Sequence, residues 1–248
     1  MPLGGTLKMD RKNIRADAMR PRWMHHPSVQ TRRIASLRHR TTIHPIIESL
    51  RPDNLIQLDL TAANESLATI DLTDTAAFDR WVQQQRQGKI GIGGYLEDRV
   101  VYRRSNRYAG AEPRSLHLGL DLWTDVGTPV HAPLPGTVHS VADNQGFGNY
   151  GPTIILKHQL DDQIFYSLYG HLSRASLATW QAGQTVAVGA VIGDIGPYPE
   201  NGDWPPHLHL QLITELAAGQ SDYPGVVAPS QRSHYAALCP DPQLLFSK

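Results

Sequence analysis

His117-Leu118-Gly119-Leu120-Asp121 decides how the rest of the chain is read. Taken as a strand, its side chains alternate between two faces. His117, Gly119 and Asp121 share one face; Leu118, Leu120 and the following Leu122 share the other. An imidazole and a carboxylate then stand side by side over a residue with no side chain to block them. Zinc takes imidazole nitrogen and carboxylate oxygen, so the pattern is half of a metal site. A second stretch repeats the design, His207-Leu208-His209-Leu210-Gln211-Leu212, with His207, His209 and Gln211 on one face and three leucines on the other. An isolated H-x-x-x-D match is more often an ion pair or a surface accident than a ligand pair, and H-x-H alone is only a little more telling. Both together, each backed by leucine and joined by Tyr169-Gly170-His171-Leu172, form a specific signal.

A catalytic zinc site needs about three protein ligands and one open position. His117, Asp121 and one member of the pair His207/His209 supply that count. The histidine left over, with His171, is suited to act as base, acid or oxyanion donor, because an unperturbed imidazole titrates near 6.5. Spacing alone does not say which of His207 and His209 ligates.

The chain has 248 residues, 40% of them hydrophobic, which suits a globular protein rather than a disordered one. Its formal net charge is zero but unevenly spread. Residues 1–40 hold ten Lys or Arg against two acids, a net +8 that leaves −8 for the remainder. Residues 1–45 therefore read as a basic, flexible arm, with no clear nucleic-acid partner indicated. Its Arg-rich, acid-poor make-up overlaps that of an organelle transit peptide, but it lacks the apolar core of a secretory signal. With Cys239 as the only cysteine, no disulfide forms within the chain, and the expected location is cytoplasmic. No stretch approaches the length of a transmembrane helix. Oligomeric state is not written in the pattern.

Residues 46–110 read as a small α+β subdomain. Strands are expected at 55–60 and 67–72, then a helix capped by Asp74, carrying Phe78, Trp81, Val82 and Gln85, and ended by Gly88. A glycine-bearing strand region follows, from Ile90 to Tyr102. Residues 111–215 carry short strands punctuated by Gly and Pro, including a hairpin expected to turn near Gly189. The expected fold class is mainly β, an antiparallel sandwich or barrel-like domain after the small α+β one. Residues 216–248, rich in Pro, Ser and Ala, read as a tail wrapping the surface.

The order H-x-x-x-D at His117/Asp121, Y-x-H-L at Tyr169–Leu172 and H-x-H at His207/His209 resembles the M23 (LytM/lysostaphin-like) zinc metallopeptidases. The text between is similar too: Gly127-Thr128-Pro129-Val130, Ala132-Pro133, Gly136-Thr137-Val138 and Val188 to Gly193. The match runs from about 114 to 213. The resemblance implies one Zn²⁺ per chain held by His117, Asp121 and His209, with His171 and His207 as catalytic histidines. It implies hydrolysis of peptide or other amide bonds, in cell-wall-type peptides for much of the family. Some members have lost ligands and only bind a peptide or protein partner; this chain keeps every one, and metal content separates the two classes. The segment from Gly196 to Pro206 is longer, more acidic and more aromatic than the Gly-rich turn of many members, and is expected to rim the cleft. There the chain is most similar to M23-like domains fused to class III aminotransferases. The stretch from Val130 to Val138, with Val188 to Gly193, also resembles biotinyl and lipoyl carriers, but no lysine occupies the tip between Val188 and Ile192. His131, His139, His158, His25, His26, His39, His44 and His234 are expected to pack or to lie at the surface, not to ligate.

Overall fold

The computed structural model describes Ile34 and residues 42–246. In chain order its strands are β1 (Leu55–Leu58), β2 (Ile90–Gly93), β3 (Leu116–His117), β4 (Leu120–Trp123), β5 (Pro129–His131) and β6 (Gly136–Asn144). They continue with β7 (Gly151–Leu160), β8 (Gln163–Gly170), β9 (Thr185–Val186), β10 (Val191–Asp194), β11 (His207–Ile213) and β12 (Val226–Val227). Eight form one sheet in the order β1-β2-β4-β11-β8-β7-β6-β9, and β10-β5 and β12-β3 form two short ribbons. Only β1 and β2 run parallel; every other pair is antiparallel. The fold is mainly β as expected, built on an open sheet rather than a closed barrel.

The two histidine-bearing stretches are neighbours in this sheet. β4 pairs with β11 in a register that sets His209 opposite Asp121 and His207 opposite Trp123. The leucines behind them, Leu120, Leu122, Leu208, Leu210 and Leu212, are buried together with Val130, Ile154 and Ile192. Truncating one such leucine to alanine removes about 2–5 kcal/mol, so the wall behind the histidines is firm.

The opening stretch is not one strand. It breaks at Leu118-Gly119, β3 going to β12 and β4 to β11. The break is required: residues four apart on a straight strand lie about 13 Å apart, whereas His117 Nε2 and Asp121 Oδ1 are 3.3 Å apart. In consequence Leu118 leaves the other leucines and enters a separate core with Tyr150, Ile155 and Leu168.

The helix α1 (Thr75–Arg86) forms as the spacing predicts. Asp74 caps it by accepting from Ala77 N at 3.1 Å. Phe78, Trp81 and Val82 bury one face, with Phe78 edge-on to Trp123 at 5.9 Å. It ends at Arg86, Gln87 taking a left-handed conformation just before Gly88. Other elements differ from expectation. Residues 65–69 form a 3-10 helix, not a strand, because Asn64 Oδ1 draws in both Ser66 N and Ser66 Oγ. Val100–Arg104 is also a 3-10 helix, which turns Val101 and Tyr102 inward and Arg103 out. The stretch 185–193 turns at Gly189, but its arms join different sheets, so it is not a hairpin. Nor is the C-terminal stretch a surface tail. It supplies β12 and α2 (Arg232–Leu238), and it buries Cys239, Leu244 and Leu245. Most of the basic arm lies outside the described residues. Among the described residues no helix is long and apolar enough to cross a membrane.

Candidate metal centre

Asp121 on β4, His209 on β11 and His117 at the end of β3 bring three ligand atoms within 4.8 Å of one another, all buried. His117 Nε2 lies 2.9 Å from His209 Nδ1. Asp121 Oδ1 lies 3.3 Å from the first and 3.1 Å from the second. Ligands 2.0–2.1 Å from a tetrahedral ion are separated by roughly 3.3–3.4 Å, so the triangle has the size a zinc ion needs. Gly119 sits beneath it. A Cβ there would fall 2.4 Å from His209 Cε1 and 2.7 Å from the Leu210 carbonyl oxygen. The glycine is therefore a space requirement of the His209 ring.

The proton inventory makes the same point chemically. His117 Nδ1 donates to the Gly94 carbonyl at 3.0 Å, which leaves Nε2 with a bare lone pair. Gln211 Nε2 donates to Pro224 O at 3.1 Å and lies 3.4 Å from Cys239 Sγ, which turns its Oε1 toward His209. His209 Nε2 therefore donates to that oxygen at 3.0 Å, and its Nδ1 is bare. Two lone pairs and a carboxylate oxygen converge with no proton between them, an arrangement a cation satisfies. Burial alone would raise the Asp121 carboxyl; the His117 ring and then the Arg99 guanidinium outweigh it and hold the group well below the usual carboxylate range. Arg99 is buried, bonds Asp121 Oδ2 and reaches Glu97 Oε2 at 2.7 Å. His117 is pushed down to about 3, chiefly by burial and then by the Arg99 charge.

His171 and His207 stand beside this triangle, ring centroids 4.3 Å apart. His171 Nδ1 donates to Asn201 O at 2.7 Å and His207 Nδ1 to Pro205 O at 2.7 Å. Each Nε2 is left as an acceptor. Burial holds both neutral, His207 falling to about 4 and His171 well below the ordinary histidine value. His207 lies flat on Trp123, centroids 4.0 Å apart. Asn201, fully buried, closes its loop by donating to Gly196 O and Trp204 O, and so fixes the carbonyl that holds His171. His171 itself is held at φ 62° between Tyr150 O and Gly196 N.

A cleft of about 180 Å³ opens over these groups. Its walls include His171, His207, Tyr150 and, from the 196–206 segment, Trp204, which is buried. Arg99, Tyr150 and Tyr102 carried no local signal in the sequence. Their one trace is the charged run Glu97-Asp98-Arg99 amid apolar text. The remaining histidines lie elsewhere. His158 is fully buried in β7, His44 packs 5.2 Å from His131, and His234 is exposed on α2. His25, His26 and His39 fall outside the described residues.

Two imidazoles and a carboxylate, with further neutral histidines alongside, form the donor set that single-zinc hydrolases use. Residues 115–221 match the model of peptidase family M23. Solved structures it is similar to include a mutant catalytic domain of the prophage-encoded M23 protein EnpA from Enterococcus faecalis. That match has 25% identity and a TM-score of 0.33, and covers 46% of this chain and 77% of that one. A zinc-containing peptidase from Vibrio cholerae matches at 24% identity and a TM-score of 0.32, over 44% of this chain but only 32% of its own. The catalytic domain of lysostaphin from Staphylococcus simulans matches at 23% identity and a TM-score of 0.33, over 50% of this chain and 84% of that domain. Comparison with curated proteins finds no match.

Proposed function

We propose that the protein is a zinc-dependent hydrolase of peptide bonds. The observation that carries this reading is the convergence of three unprotonated donors at 2.9–3.3 Å beside two neutral imidazoles in one cleft. His117, Asp121 and His209 would hold the ion. When bound, zinc supplies Lewis acidity that polarises a carbonyl and lowers the pKa of water toward neutrality. The chain's own residues do the rest. Arg99 balances the outer oxygen of Asp121 and fixes its orientation. Gly94 and Gln211 hold the two ligating rings in the tautomers that expose the ligand nitrogens. His171 and His207, neutral and with Nε2 free, accept a proton from water and return it to the leaving amine.

The test is zinc content beside peptide cleavage in the full chain. One zinc per chain is expected in the wild type, and loss of both zinc and activity in His117→Ala and His209→Ala. His171→Ala and His207→Ala should keep zinc and lose on the order of 10²–10³ in rate. Wild-type turnover that survives complete zinc removal would overturn the mechanism.

A further inference from the structure

We propose that Arg107 and Arg114 form a subsite for a carboxylate of the substrate, so that the peptide taken by this cleft is acidic. This rests on the peptidase reading above and names its substrate class. Both arginines line the cleft that holds His171 and His207. Both also line a shallower groove of about 670 Å³ that continues from it past Phe147. Among the described residues neither is within ion-pairing distance of a carboxylate. The acid in their own segment, Glu112, is turned away and held by Ser230 N and Oγ at 3.1 and 2.6 Å. Among the described residues Asp222 is the one acid lining the cleft besides Asp121, and it makes no ion pair with either arginine.

The arginines are also held in place. Ser105 Oγ accepts from Arg107 N at 3.2 Å, and Arg114 N donates to Tyr108 O at 2.9 Å. The Arg114 guanidinium bonds the Arg107 carbonyl and lies 5.3 Å from the Tyr108 ring centre. Tyr108 in turn donates to Gly148 O and packs 4.8 Å from Tyr102, which packs 6.3 Å from His117. A chain of tilted ring contacts thus runs from the rim cation to the metal centre. Next to it Arg104 is sandwiched 4.7 Å from both Phe147 and Trp204. Its Nη2 donates to neutral Thr75, and Nε and Nη1 are buried without a partner. A third cation thus borders the groove, with Asp203 and Asp71 near enough to act on it. Guanidinium forks match carboxylates in both geometry and charge.

The test uses the zinc-loaded full chain and quenched fluorogenic octapeptides of Gly and Ala. Each carries one Glu or one Gln at a stated position, with a free or an amidated C-terminus. Wild type should favour Glu over Gln in kcat/KM by about tenfold at one position, or favour the free terminus, which tells side-chain from terminal carboxylate. The ratio should shrink with added salt. It should fall to near unity in Arg107→Gln/Arg114→Gln, partly survive in Arg107→Lys/Arg114→Lys, and be unchanged in Arg103→Gln, whose side chain lies outside the cleft. Melting curves check that each variant is folded. If no peptide is cut, the same peptides compete with a fluorescein-labelled Glu peptide for binding. An arginine-dependent Glu preference there supports the subsite and sinks only the peptidase reading. Equal handling of Glu and Gln, and of free and amidated termini, in both assays overturns the subsite. So does a 20-residue oligothymidine that binds more tightly than any acidic peptide through the same arginines.

Discussion

Two residues of the candidate site are defined by backbone space as much as by chemistry. Gly119 leaves no room for a methyl group beneath His209. Gly119→Ala must therefore push the ring off the triangle, and zinc affinity should fall about 10–100-fold, the range seen when a ligand loses its support. Chelator competition measures this directly, and unchanged affinity would refute it. His171 sits in the left-handed region at φ 62°, where a side chain other than Gly, Asn or Asp is costly. Both His171→Asn and His171→Ala should lose turnover, but the Asn variant should be more stable, by a few tenths to about 1 kcal/mol. Urea titration of the two proteins decides it. The sequence marked five of the site's side chains: four because H-x-x-x-D and H-x-H put chemistry and alternation in the same short text, and His171 through Y-x-H-L. It did not name Arg99, whose partner lies 22 positions on in a different element, beyond the reach of any local period.

Elements were legible where one face alone met the core. α1 has a cap, an apolar stripe and a stop, and it was readable; β11 alternates, and it was readable. The 3-10 helices at 65–69 and 100–104 were not: Val100-Val101-Tyr102 fits a strand or a tight turn equally well, and Leu67-Ala68-Thr69-Ile70 has no period that decides. The kink between β3 and β4 was hidden for a different reason: only the need to converge two ligands demands it. The position of β2 has a consequence that can be measured. It covers the free edge of β4, and the turn after it delivers Arg99 to Asp121. A chain begun at residue 111 would expose that edge and leave a buried carboxylate unpaired, a loss on the order of 3–5 kcal/mol before the edge is counted. It should show no cooperative melt, whereas the full chain should. Circular dichroism of the two proteins would expose the error if the shortened chain melted as sharply.

At the scale of the whole molecule, the sheet carries a second, purely structural histidine. His158 is fully buried on β7, donating from Nδ1 to Pro135 O at 2.9 Å and accepting from Ser167 Oγ at 2.6 Å. Burial lowers it to about 4, against about 6.5 when unfolded. Between those values the unfolded chain binds the extra proton, so stability rises with pH there and is complete above 6.5. As pH falls from 6.5 to 4, His158 should withdraw roughly 3 kcal/mol. His158→Gln, which does not titrate, should flatten that part of the stability curve. Equal slopes for both proteins in denaturant titrations would refute the assignment.

The face-to-face contact of Trp123 with His207 also gives the protein an optical property. An excited indole passes an electron readily to a charged imidazole and poorly to a neutral one. The emission of a single tryptophan thus depends on the charge of the ring it rests on and on what displaces water beside it. Protonation of His207 should therefore dim Trp123, one of five tryptophans, and a pH titration of emission in the wild type against Trp123→Phe reads that change.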